Sequence, residues 1–152
     1  MSTLDEALKE TVKFVRKQVA KTPINGNGMN KWKFWKGKEA LTESGGGSRV
    51  FEVRMTDDAP EIVTVGTTSH DYNVNISINI CYEDNTKERL QAWADYTKIR
   101  KQVELADKST PQANGLNFLR FESPTITTGG DGNDKEQYIY MVIPITCRIT
   151  AG

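Results

Sequence analysis

The chain of 152 residues is poor in the side chains that most enzymes use for chemistry. Histidine occurs once, at His70, so a nucleophile and base pair built on histidine has only this position available. Ser69 and Asp71 flank it, but neighbours in sequence do not converge on one substrate as a catalytic triad requires. We therefore expect no catalytic residues and no enzyme activity.

Cysteine is almost as scarce, and Cys81 and Cys147 each lie in an apolar, strand-like run, where reduced core cysteines are common. Two cysteines and one histidine are too few for a structural zinc site, and the acidic pairs lack the spacing of an EF-hand loop. The glycine run Gly45–Gly47 lacks the Lys-Ser/Thr of a P-loop. The sequence predicts no metal and no cofactor.

No run of 18 apolar residues occurs, so the sequence predicts no transmembrane helix and no membrane partner. The N-terminus lacks the basic-then-apolar order of a signal peptide and the cysteines are expected to be reduced, which predicts synthesis in a cytoplasm. Twenty basic and twenty acidic residues cancel, which argues against a surface devoted wholly to nucleic acid. The charge is nevertheless polarised. Residues 1–40 hold nine Lys or Arg against four Asp or Glu, and the rest hold eleven against sixteen. This polarity suits the pairing of one copy with another.

Two segments have the periodicity of amphipathic helices. Thr3 and Glu6 stand at capping-box spacing and Pro23 ends the apolar pattern, which predicts a helix over residues 4–21. Asn85 caps a second helix that runs to about residue 106. The apolar stripe predicted for this second helix consists of Ala92, Tyr96, Ile99 and Val103, supplemented by Leu90 and Trp93.

Strand signals occupy most of the remainder. Alternation is unbroken over residues 72–82 and clear over residues 49–55, while short apolar runs fall at 62–65 and 118–121. Residues 138–149 are almost continuously apolar, and Pro144 within them predicts a bulge or an edge position. Residues 127–136 are expected to form an acidic loop. The order predicts one α+β domain over residues 1–152, with a mostly antiparallel or mixed sheet of about five strands packed by two helices.

Residues 24–48 form a long connection after the first helix, with glycine-rich stretches on both sides of a basic and aromatic run. We expect a flexible, hinged arm. Its aromatic residues are Trp32, Phe34 and Trp35, and its basic residues are Lys31, Lys33, Lys36 and Lys38. The aromatic residues could anchor in a neighbouring subunit, or the run could bind nucleic acid by phosphate neutralisation and base stacking. We favour the first interpretation, because a neutral chain would bind DNA weakly unless many copies acted together.

A second candidate interface lies on the strongest predicted strand. The face opposite its apolar residues carries Asn73, Asn75, Ser77 and Asn79, which are polar but uncharged. A strand that simply meets water usually carries lysine and glutamate there. We therefore expect this face to pack against another subunit.

The order of elements resembles the tail terminator proteins of long-tailed bacteriophages. The likeness is carried by the alternating strand Tyr-Asn-Val-Asn-Ile-Ser-Ile-Asn-Ile-Cys-Tyr, the helix Glu-Arg-Leu-Gln-Ala-Trp-Ala-Asp-Tyr and the closing Tyr-Ile-Tyr-Met-Val-Ile-Pro-Ile-Thr. It covers most of residues 1–152. The resemblance implies a virion protein that forms a ring, typically of six subunits, on the end of the tail tube.

The same resemblance implies its partners, which are further copies of the chain, the tail tube protein and a head-tail connector or neck protein. DNA passing through the lumen would be contacted without sequence specificity. Two alternatives stay open: another ring protein of the same particle, such as a tube, tail completion or head completion protein, and a nucleic-acid-binding module that uses residues 31–38.

Overall fold

The computed structural model of the protein describes residues 3–24, 32–37, 40–41, 47–109, 116–129 and 138–152. Two helices pack on a seven-stranded mixed sheet. The elements are α1 (Leu4–Lys21), β1 (Lys33–Phe34), β2 (Val50–Met55), β3 (Glu61–Val65), β4 (His70–Glu83), α2 (Thr86–Ser109), β5 (Leu116–Phe121), β6 (Thr125–Gly129) and β7 (Tyr138–Ala151). The predicted α+β class with two helices is confirmed, and the strand count exceeds the predicted five.

The two helices begin and pack as their sequences predict. The backbone N–H of Thr3 donates to Glu6 Oε2 at 3.2 Å, and the N–H of Glu88 donates to Asn85 Oδ1 at 2.8 Å, so each helix has a polar cap. Between the helices, Gln102 Nε2 donates to Gln18 Oε1 at 3.0 Å. None of the helices in the described residues is long and apolar enough to cross a bilayer.

Strands β4 and β7 form the centre of the sheet. Each has 14 residues, and they pair antiparallel along their whole length, from His70 opposite Ala151 to Glu83 opposite Tyr138. Their isoleucines face the helices and fill the main core, because side chains alternate between the two faces of a strand. This pair is the framework on which every other strand is placed.

Each neighbour of the central pair is one strand broken into two pieces. On the β4 side, β2 pairs with residues 76–81 and β3 with residues 70–73, so β2 and β3 run in line along one edge. On the β7 side, β5 pairs with residues 145–149 and β6 with residues 138–142. The two-residue strand β1 adds to β2 in parallel, which makes the sheet mixed. The two strands beyond the predicted five are β6, which the break on the β7 side separates from β5, and the two-residue β1.

Pro144 accounts for one of the breaks. It is neither at an edge nor at a bulge of β7, because it pairs with Ser77 in an unbroken register with β4. Its carbonyl accepts the N–H of Glu122 at 2.9 Å, so its backbone nitrogen faces the β5–β6 side, where proline cannot donate. There β5 ends at Phe121 and β6 begins at Thr125. The predicted edge position was therefore wrong, and the interruption falls in the neighbouring strand.

Strand β6 corrects a second prediction. The segment 127–136 was expected to be an acidic loop, but its residues 127–129 belong to β6. The threonines of this strand have high β propensity, and the strand pairs with residues 138–142 at the start of β7. The remaining residues of the expected loop, 130–136, lie outside the described residues.

The sheet has two unlike faces. The face toward the helices holds the main core, and the other, which we call the open face, is covered at one end by a smaller cluster of Leu41, Val50, Cys81 and Tyr140 with Trp35 and Tyr138 beside it. Cys147 lies in the main core and Cys81 in the smaller cluster, so the sheet separates them and they do not form a disulfide. The prediction that both cysteines are buried is confirmed.

Candidate assembly surfaces

The polar side chains of β4 predicted to meet another subunit lie on the open face and are held in place by their neighbours. Arg148 Nε donates to Asn73 Oδ1 at 3.3 Å, and the Thr146 hydroxyl donates to Asn75 Oδ1 at 3.2 Å. Asn75 Nδ2 in turn donates to Asp58 Oδ2 at 3.4 Å. The two asparagines are half-buried, so they form a fixed but accessible polar surface.

The same face is closed farther along β4. Asn79 is buried, and its Nδ2 donates to Glu52 Oε1 at 3.0 Å, an oxygen that also accepts the N–H of Leu41 at 3.1 Å. Trp35 packs on the smaller cluster beside them. Ser77, half-buried, lies between this covered end and the exposed end. Of the four predicted interface residues, Asn79 is thus already covered by its own chain.

The other two aromatic residues of the segment 24–48 also contact their own chain. Trp32 Nε1 donates to the carbonyl oxygen of Thr22 at 3.0 Å, and its ring meets the edge of Phe51 with centroids 6.1 Å apart. Phe34 is partly exposed, and the guanidinium of Arg16 lies 4.7 Å from its ring centroid. The subunit-anchoring role of these aromatic residues stays a prediction, and much of their apolar surface is used within the chain.

Two of the four predicted basic residues lie within the described part of the chain. Lys33 and Lys36 are exposed, whereas Lys31 and Lys38 lie outside the described residues. Since β1 is an edge strand, the two exposed lysines stand at the margin of the sheet, near the basic side of α1.

A groove with basic walls runs between α1 and the β1–β2 edge. One part has a volume of about 550 Å³ and is lined by Asp5, Leu8, Lys9, Val12, Lys13, Arg16 and Met55. A second part of about 480 Å³ shares Lys13 and Arg16 with the first and adds Lys17, Ala20, Trp32, Phe34 and Phe51. The floor is apolar and the rim cationic, which suits an acidic, partly apolar partner segment.

The most exposed apolar side chains lie on β3 and α2. All five residues of β3 are exposed, with Ile62, Val63 and Val65 at 52%, 41% and 73%. On α2, Leu90 and Trp93 are 67% and 44% exposed, so the prediction that they extend the buried stripe was wrong. Of the predicted stripe, Ala92, Ile99 and Val103 are buried on the face of the helix that meets the sheet.

Sequence reasoning missed a buried charged cluster between α2 and the sheet. Arg49 Nε and Nη2 donate to the two oxygens of Asp95 at 3.0 and 3.1 Å, and both residues are buried. The Tyr82 hydroxyl and Gln91 Nε2 each donate to Asp95 at 2.8 Å. Both carboxylate oxygens therefore accept two hydrogen bonds, which is the condition for a stable buried ion pair.

Within this cluster, Arg49 has an unusual backbone conformation and Tyr82 has a shifted pKa. Arg49 has a φ of 63°, a left-handed conformation that costs free energy for a residue with a Cβ. Burial, and then the neighbouring Asp95 carboxylate, raise the pKa of Tyr82 well above its ordinary value. One signal was available in the sequence, because Asp95 falls between Ala92 and Ile99 on the apolar stripe of α2, where an isolated charge needs a partner.

The described residues contain no group of three or more histidine, cysteine or acidic side chains placed to hold a metal ion. His70 Nδ1 accepts the N–H of Gly66 at 3.3 Å, which closes the turn between β3 and β4. Its ring meets that of Tyr72 edge-on, with centroids 6.2 Å apart. The contacts of the single histidine thus support the turn.

Comparison of the chain with protein-family models, and with curated proteins, finds no match.

Proposed function

We propose that this protein is a structural component of a long-tailed phage virion, where copies of it form a ring of six that caps the tail tube. The observation that carries the proposal is β3, whose five residues are all exposed although three are large and apolar. An exposed apolar edge strand is a liability in a lasting monomer, because it invites pairing with other chains. Such a strand is useful in a protein that is completed by assembly.

The order of elements supports the same proposal. An amphipathic N-terminal helix, a sheet centred on two 14-residue strands, a second helix and a long closing strand form the order on which the likeness to tail terminator proteins rests. The site contacts support it as well, since hydrogen bonds hold the accessible asparagines of the open face in one conformation. A pre-ordered surface loses little conformational entropy when a partner binds.

The proposed mechanism is geometric and involves no catalytic step. A ring on the last layer of the tube would block the addition of further tube subunits and replace the tube end by a docking face for the connector. Different surfaces would serve the three protein partners: the sheet edges for copies of the chain, and the cation-rimmed groove for an acidic segment of the tube or connector. DNA in the lumen would meet exposed lysines without base-specific contacts.

The nucleic-acid-binding alternative has less support from the described contacts. Base stacking needs exposed aromatic faces, whereas Trp32 is hydrogen-bonded to Thr22 and Trp35 packs on the smaller cluster. Lys33 and Lys36 remain available for phosphates, so binding by this route would be weak and strongly dependent on salt.

The proposal is tested by measuring mass in solution and binding to tubes. Light scattering after size exclusion, over a range of protein concentrations, should give six copies of the 17.1 kDa chain, or rings that appear as concentration rises. The purified protein should also bind the ends, and not the sides, of isolated tail tubes in electron micrographs. Retention on DNA that falls with salt, without oligomers and without tube binding, would overturn the proposal in favour of nucleic-acid binding.

A further inference from the structure

Two strands at opposite edges of the sheet overlap in level. Strand β3 pairs with residues 70–73 of β4, and β5 pairs with residues 145–149 of β7, so the two strands overlap where residues 72 and 73 of β4 pair with residues 149 and 148 of β7. The four strands therefore lie side by side in the order β3, β4, β7, β5. Among the described residues, β3 pairs only with β4 and β5 only with β7. Within the described part of the chain, both outer edges are therefore open to another strand.

We propose that β3 of one copy pairs with β5 of the next, so that the sheets join into a continuous belt. The inference rests on the ring in the proposed function and names the contact that closes it. Strand directions permit the pairing, because three antiparallel steps separate β3 from β5 and the two strands therefore run in opposite directions. Copies related by rotation about an axis along the strands would place them antiparallel.

Apolar surface matches on the helix side of this contact. Ile62 pairs with Tyr72 and shares its face, so Ile62 points to the helix side at the β3 edge. At the β5 edge, Phe121 meets Tyr96 with centroids 6.4 Å apart, and Tyr96 meets the exposed Trp93 at the same separation. In the register of the sheet Ile62 lies level with Leu116, and Phe121 lies two helix-side positions farther along β5. The pairing would therefore bring the exposed aliphatic side chains of β3 to the apolar edge of the next copy, beside its aromatic row.

Charge and hydrogen bonding match on the open face. Glu61 of β3 and Arg120 of β5 both point to this face and carry opposite charges. In the register of the sheet, Glu61 and Arg120 are offset along the strands by one position on the open face. Long side chains can span such a diagonal offset. Arg120 also pairs with Glu122 of its own chain at 2.9 Å. Contact with Glu61 of the next copy would therefore bring a second carboxylate to the same guanidinium.

A polar row crosses the sheet at the same end. Asn117 Nδ2 donates to Thr150 Oγ1 at 2.8 Å, and Thr150 Oγ1 donates to Asp71 Oδ1 at 2.6 Å. Thr64 pairs with Asp71 and begins the row at the other edge. The row thus starts at an exposed threonine and ends at an exposed asparagine, and Asn117 of one copy would continue to Thr64 of the next.

The contact joins two different surfaces, so it is head-to-tail and closes into a ring when the rotation allows. Disulfide trapping tests this arrangement. The double variant Thr64→Cys with Asn117→Cys should, on oxidation, give a ladder of linked species that ends at the closed ring. Each single variant should stop at dimers or below. Cys81 and Cys147 are buried, so oxidation acts on the introduced thiols. The matched control is Lys87→Cys with Lys101→Cys, two exposed positions on α2.

A two-fold contact through β3 alone would overturn the proposal, and it would show as efficient dimers of the Thr64→Cys single variant. Absence of a ladder in the double variant at high protein concentration would overturn it too. If rings still form without a ladder, only the proposed contact fails. If the ladder forms but the rings do not bind tube ends, the contact stands and the proposed function fails.

Charge reversal provides a second test. Glu61→Arg or Arg120→Glu alone should weaken self-association roughly three- to tenfold, as expected for exposed ion pairs replaced by like charges. The double variant should self-associate at the same midpoint concentration as the wild type, because the opposite charges face each other again. Lys101→Glu is the control for a change of net charge. A double variant that is weaker than both single variants would contradict the pairing.

Discussion

The two ends of the sheet are built on the same pair of central strands but differ in what surrounds them. At the end near Cys81, which we call the closed end, β1 and Leu41 cover the edge and the open face, and the ion pair of Arg49 and Asp95 lies beneath α2. At the end near Asp71, the open end, β3 exposes every side chain and the polar row is accessible.

The difference separates stability from assembly. At the closed end, the Asp95 carboxylate and Glu52 Oε1 accept hydrogen bonds inside the chain, although Asn79 Oδ1 is buried without a partner among the described residues. The loss of these hydrogen bonds should cost folding free energy. Apolar atoms at the open end are left in water, so their loss should cost the folded monomer little and should affect only contacts between copies. Each prediction below changes one end and measures its effect on stability or association.

The largest effect is expected for Asp95→Ala at the closed end. The substitution leaves the buried Arg49 guanidinium without its carboxylate and should lower the free energy of unfolding by about 3–5 kcal/mol. Urea denaturation followed by tryptophan fluorescence measures it. The matched control is Glu104→Ala, which breaks a solvent-accessible ion pair with Arg100 on the same helix and should stay within about 0.5 kcal/mol of wild type. Equal losses in the two variants would show that burial of the Arg49–Asp95 pair makes no difference to the fold.

Tyr82→Phe should have the next largest effect, because it removes one hydrogen bond to the buried carboxylate, at a cost of about 1.5–3 kcal/mol. It also predicts a pH dependence. The raised pKa of Tyr82 means that the unfolded chain loses this proton near pH 10 while the folded chain keeps it. Stability contributed by the neutral phenol is therefore full below pH 10 and is lost as pH rises above it.

Urea denaturation at about pH 9 and about pH 11 tests the sign. The fall in stability between the two pH values should be smaller in Tyr82→Phe than in wild type, since one titrating group has been removed. A fall of the same size in both proteins would contradict the assignment of the raised pKa to Tyr82.

Trp35→Ala removes the aromatic side chain that helps to cover the smaller cluster. We expect a loss of about 1–3 kcal/mol of stability, less than for a fully buried tryptophan, because Trp35 is half-buried. Had this side chain only anchored in a neighbouring subunit, the monomer would keep its stability. Phe34→Ala, at the exposed position next to it, is the comparison and should cost less. A monomer of unchanged stability after Trp35→Ala would restore the anchoring interpretation.

The smallest effect on folding is expected at the open end. Val65→Thr keeps a β-branched side chain on β3 and should change the free energy of unfolding by less than about 0.5 kcal/mol, while it weakens self-association. The matched substitution Val74→Thr, at a buried position of β4, should cost about 1–3 kcal/mol because it buries a hydroxyl. Light scattering and urea denaturation of both variants separate the two roles. Comparable destabilisation would mean that β3 is part of the folding core.

Periodicity was sufficient to predict the parts of the fold that bury one continuous face. Helix α1 and the long strand β4 follow directly from spacings of about 3.6 and 2 residues, and the closing strand β7 from an almost continuous apolar run. Strand β6 was not predicted, because its position is defined by a partner: it lies where β7 offers hydrogen bonds beyond Pro144. A two-residue strand such as β1 carries no period, and its position depends on β2.

The candidate surfaces were predicted less well, for a related reason. The pattern that placed Asn73 and Asn79 on one polar face is correct, but it contains no information on which of them the chain covers. Leu90 and Trp93 have apolar side chains that a helical stripe accepts, and only the packing direction of α2 leaves them in water. Arg49 gave no periodic signal, since its role depends on a contact 46 residues away.

By itself the sequence determined the class of fold, the two helices and the long central strands, because these follow from local spacing, capping and propensity. It also predicted two buried cysteines from the apolar runs around them. Only the tertiary structure decided that the described part of the basic, aromatic segment lies along its own sheet, that Arg49 meets Asp95, and that β3 stands exposed opposite β5. Each of these depends on contacts between residues far apart in the chain, and no local pattern specifies which distant surface a side chain will meet.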